Sequence, residues 1–97
     1  MSGNVRLTVT HPTPSGDQLP LKHVRCESRV DGIAEWTEVA VIPVAETSRL
    51  FPDLAAGLWH FRCIWVDELD VESVPVEDSI QVPSAPPSAG TLSLALE

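Results

Sequence analysis

Ninety-seven residues carry 14 acidic against 6 basic side chains, a formal net charge of −8. A chain of this length forms one domain, and it buries only roughly 60–65% of its unfolded surface, so its core is modest. The bases Arg6, Lys22, Arg25, Arg29, Arg49 and Arg62 are scattered singly, which excludes polyanionic partners: no nucleic acid and no anionic membrane.

No run approaches the ~20 apolar residues that cross a bilayer. The opening MSGNVRLTVTHP lacks the apolar stretch of a signal peptide, so cytoplasmic expression is expected. Nine prolines and five glycines divide the chain into short runs rich in Val, Leu, Ile and Thr. Helix signals are nearly absent, and the spacing predicts an antiparallel all-β sandwich or barrel.

The first predicted strand is Val5 to Thr10, where apolar Val5, Leu7 and Val9 alternate with polar residues. A turn-rich loop, His11 to Asp17, follows. The second strand runs from Leu21 to Val30, with Val24, Cys26 and Ser28 on the inner face and Arg25, Glu27 and Arg29 on the wet one. Asp31-Gly32 signals a hairpin turn. The chain is then expected to return through Glu35 to Ile42, with Pro43 as its stop.

Thr47 to Phe51 reads as a short strand, and Pro52 to Gly57 as a turn. Leu58 to Val66 is the strand with the heaviest apolar load. Trp59, Phe61, Cys63 and Trp65 share one face, and His60, Arg62 and Ile64 the other, which places this strand at the centre of its sheet. An acidic loop, Asp67 to Ser73, leads to a final strand, Val74 to Val82, whose Pro75 suits an edge. Residues 84–97 form a Pro/Ser/Ala-rich linker and a short alternating tail with Leu92 and Leu94. Leu96-Glu97 matches the scar that a common vector leaves before a purification tag.

Two cysteines without CxxC spacing do not make a zinc site. Cys26 and Cys63 read as two buried thiols, with a bridge between strands as the alternative.

Residues 5–83 resemble the fibronectin type III family. The resemblance rests on Leu54-Ala55-Ala56-Gly57-Leu58-Trp59-His60-Phe61-Arg62-Cys63, then Asp67, then Ser73-Val74-Pro75, with Glu35 to Val39 similar to the family's Trp-containing strand. It implies an immunoglobulin-like β-sandwich over residues 1–83. The family's corner tyrosine is replaced by Trp59, which has an N–H donor but no hydroxyl, and the chain has no Tyr; a corner hydrogen bond, if kept, must be made differently. Residues 5–10 resemble the family's second strand, so the first strand is missing at the N-terminus and a spare one stands at the tail. A vacant edge can accept a strand, so Leu92 and Leu94 could pair beside Val5, Leu7 and Val9 in the same molecule or a neighbour, with a disordered tail as the plainer reading.

Chemistry is sparse. His11, His23 and His60 are far apart in sequence, and no nucleophile elbow, zinc-protease motif or phosphate loop occurs. No enzyme activity and no cofactor are expected. Asp67, Glu68, Asp70 and Glu72 could offer oxygen ligands to calcium, but a solvated charged loop is the plainer reading. Trp36, Asp31 and that loop form the candidate interaction surface. The expected function is a non-catalytic structural or protein-interaction module that resembles small fibronectin-like proteins of phage and prophage virions. The alternative is an accessory domain that binds carbohydrate or protein within a larger secreted protein. The partner is a protein of unstated identity. A monomer is expected, with head-to-tail self-association as the alternative.

Overall fold

Alternating burial decides which way each strand faces. A computed structural model describes residues 2–83 and 89–96. Its strands are β1 (Ser2–Thr8), β2 (Leu21–Val30), β3 (Thr37–Pro43), β4 (Ser48–Ala55), β5 (Gly57–Asp67) and β6 (Val76–Val82). Every pairing is antiparallel, and there is no helix among the described residues. The strands form a two-stranded sheet, β1-β4, and a four-stranded sheet, β3-β2-β5-β6.

Two apolar clusters join these sheets. One gathers Val9, Val24, Cys26, Ile42 and Cys63; the other gathers Val5, Phe61 and Val82, with Phe51, Leu54 and Trp59 packed against it. Ile42, Val24 and Cys26 are wholly buried. Burial of these side chains is the main favourable term, worth roughly 1.5–3 kcal/mol for each large one. As the sequence predicts, β5 is paired on both sides and Val24, Cys26 and Ser28 face inward.

Several boundaries move. β1 begins at Ser2 rather than Val5 and ends at Thr8, although Val9 N–H still donates to Thr47 O at 2.8 Å. β3 begins at Thr37, which leaves Trp36 in the connection after the Asp31-Gly32 turn. β6 begins at Val76, after Pro75. The largest change is β4, which continues through Pro52 to Ala55 where a turn was predicted. A register shift between Gly3 and Val5 sets Pro52-Asp53 against Asn4 alone. Asp53 takes φ 55° there, and its N–H donates to Asn4 Oδ1 at 3.1 Å. Such a bulge lets a strand carry a proline without losing the ladder beyond it.

Ile64 also departs from the reading by periodicity. It shares the outward face with His60 and Arg62, yet is only 4% exposed. Arg25 lies opposite Ile64 on β2, and Glu72 bridges Val66 on the other side of β5. Their bidentate ion pair, 3.0 and 2.9 Å, therefore spans β5 and covers Ile64.

Between β4 and β5 the chain changes sheets within one residue, Ala56, and Gly57 takes φ 141°, a conformation that favours glycine. Trp59 Nε1 donates to Ala55 O at 2.8 Å across this corner. The indole thus makes the corner bond without a hydroxyl. Trp59→Phe removes the donor and some packing, and is expected to cost about 1–2 kcal/mol. The check is a lowered urea midpoint at unchanged m-value; an unaltered midpoint would show that the corner bond contributes nothing.

Candidate functional site

The two layers do not match in width. Four strands face two, and the mismatch falls at β6. Its residues Val76, Asp78 and Ile80 pair directly with Cys63, Phe61 and Trp59 of β5. Directly paired residues project to the same face, so these β6 side chains point toward the interior. Val82, at the end of β6, is buried with Val5 and Phe61. Val76 and Ile80 are 57% and 44% exposed, because nothing in the facing layer covers them.

The opposite wall is β1. It pairs with β4 on one side, and its other edge has no partner among the described residues. Between β1 and β6 lies a groove of about 500 Å³, floored by Phe61, Cys63 and Trp65. Val5, Leu7 and Val9, the residues expected at a vacant edge, all line it. An unpaired edge presents backbone donors and acceptors, so the groove combines directional backbone bonding with apolar contact. Leu92 and Leu94 do not enter it within this chain. They are 87% and 91% exposed and outside any strand.

The other predicted interaction residues are dispersed. β2, ten residues long and so spanning about 30 Å, separates Asp31 at one end from the acidic loop at the other. Asp31 Oδ1 contacts His60 Nε2 at 2.9 Å. Two guanidiniums approach the Trp36 ring, Arg62 at 4.6 Å and Arg29 at 5.0 Å from its centroid, and Arg62 also donates to Glu27 at 2.7 Å. The Trp36 ring is half-buried in this cation–π cluster on the outer face.

The acidic loop is engaged with its own surroundings. Asp67 Oδ1 accepts from the N–H groups of Leu69 and Val71, at 2.8 and 3.0 Å. Lys22 Nζ binds Asp70 at 2.7 Å, and Arg25 binds Glu72. Those hydrogen bonds to Lys22 and Arg25 hold the Asp70 and Glu72 carboxyls below the usual carboxylate range. Glu68 is exposed. Among the described residues no three His, Cys, Asp or Glu side chains converge as metal ligands.

Sequence reasoning missed one polar link. Trp65 Nε1 donates to His11 Nδ1 at 3.2 Å, and His11 Nε2 donates to Glu46 O at 2.7 Å. This ties the loop after β1 to the end of β5. The partners are 54 residues apart, so no local sequence signal could reveal the link. Cys26 and Cys63 pair directly across β2 and β5 as free thiols, with sulfurs 3.8 Å apart. The bond with Cys63 and burial push the Cys26 thiol up.

No protein-family model matches this chain, and no curated protein does. The molecule is defined by its own features: an all-β, antiparallel protein of two sheets, in which the edge of β1 that is unpaired among the described residues borders a largely apolar groove.

The lowered carboxyls give a test of the loop. A depressed carboxylate contributes stability above its unfolded-state pKa and loses it as pH falls through the folded one. The full contribution is therefore present at neutral pH and lost below about pH 4. D70N/E72Q is expected to melt below the parent at pH 7, and the gap should close on acidification. A gap of constant size from pH 7 to 3 would count against these ion pairs as the loop's tethers.

Proposed function

We propose that this chain is a fibronectin type III-like sandwich that serves as a non-catalytic structural and protein-interaction module, a component of a phage or prophage particle. The single observation that carries the module reading is the open β1 edge above the β1–β6 groove. Its walls offer backbone groups and mostly aliphatic side chains, with Asp78 between Val76 and Ile80 on the groove face of β6; that composition suits strand addition better than bond-making chemistry, which needs several converging titratable groups. Cys63 lies in the floor, with its thiol against that of Cys26.

The fibronectin-like part of the proposal is supported by the sheet orders and by the Trp59 bond at the β4–β5 corner. The particle part rests on the resemblance to small virion proteins alone. An accessory carbohydrate-binding role would need a free aromatic platform. Trp36 is the natural candidate, but its half-buried ring is already engaged with Arg29 and Arg62.

Peptide mass spectrometry of particles purified from the source strain after prophage induction tests the assignment. The chain is expected at a fixed stoichiometry to the major structural proteins. Its absence from intact particles, with the free chain present in the same lysate, would remove the virion reading.

A further inference from the structure

The groove has the shape of one missing strand, and the chain carries a segment of matching length and pattern. Thr91-Leu92-Ser93-Leu94-Ala95-Leu96 alternates polar or small residues with leucine. Six extended residues span about 20 Å, the same as the Val5–Thr10 wall of the groove. A strand added to the open edge of β1 would sit about 4.8 Å from it. Its inward side chains would lie above Val76 and Ile80, the β6 residues that now lack cover. Leu92 and Leu94 are the apolar pair that fits that role.

We propose that the Thr91–Leu96 tail of one molecule adds as a strand to the open β1 edge of a second copy, filling the β1–β6 groove. Two features favour a second copy over the same chain. Leu92, Leu94 and Leu96 are 87%, 91% and 102% exposed. The molecule extends 79 × 31 × 18 Å, with a radius of gyration of 19.5 Å, against about 12.5 Å for a compact chain of this length; the tail reaches outward instead of folding back.

Charge points the same way. Two copies at −8 each repel one another, yet residues 89–96 carry no charged side chain, so the tail can approach without adding to the repulsion. Because donor tail and acceptor groove are different surfaces, the contact is heterologous. It propagates head to tail unless the rotation between copies closes a ring.

The proposal gives the module reading its partner, but it is tested on the purified chain alone. Sedimentation velocity is expected to show a mass that rises by about twofold or more with concentration. Amide exchange of Leu92, Leu94 and β1 should slow in step. L92D/L94D changes only exposed side chains outside both clusters, so it should fold, stay at monomer mass and show fast β1 exchange. Adding a synthetic peptide of residues 89–96 to that variant should slow the β1 amides again. The proposal fails if the parent stays monomeric with fast tail exchange, or if L92D/L94D still assembles. It also fails if tail amides are protected at monomer mass, which would mean that the chain fills its own groove. A monomeric result leaves the particle assignment intact, and absence from particles leaves the self-association result intact.

Discussion

Strand β5 is the element against which the rest of the molecule is placed. It pairs with β2 and β6 and supplies Phe61 and Cys63 to the two clusters that hold the sheets together. Its inward face requires a second layer, since apolar side chains in period two on a strand must be covered to be worth ordering. β1 and β4 provide that layer over β2 and part of β5. They run out before β6, and the open groove follows from this shortage.

The outer face of the large sheet obeys a different rule. Arg25, Glu27, Arg29 and Arg62 form ion pairs and cation–π contacts with Glu38, Glu72 and Trp36. Each exposed pair contributes little stability by itself. Together they cover Ile64 and fix the acidic loop beside β5, so this face uses its charges internally. The β1–β6 side leaves both backbone groups and aliphatic side chains unmatched. That contrast is why the groove, and not the charged face, is the stronger candidate for recognition.

Much of the fold could be read from particular residues. The Val24-Cys26-Ser28 alternation specified the inner face of β2, and the apolar load of Leu58 to Val66 marked β5 as a central strand. The sequence left open how a corner without tyrosine would be bonded, and the structure supplies the answer in the Trp59 bond to Ala55. The errors have physical causes. Pro52 looked like a stop, but the bulge opposite Asn4 absorbs it. Ile64 looked wet by parity, but a long-range ion pair covers it. Trp36, Asp31 and the acidic loop were grouped as one surface, yet they lie along the full length of β2.

By itself the sequence determined the all-β class and the direction each main strand faces. These depend on period and composition, which are local or summed properties. Only the tertiary structure decided that four strands face two, that Val76 and Ile80 are left uncovered, and that His11 reaches Trp65. Each of those depends on which strands become neighbours, and contacts between residues tens of positions apart leave no local mark in the chain.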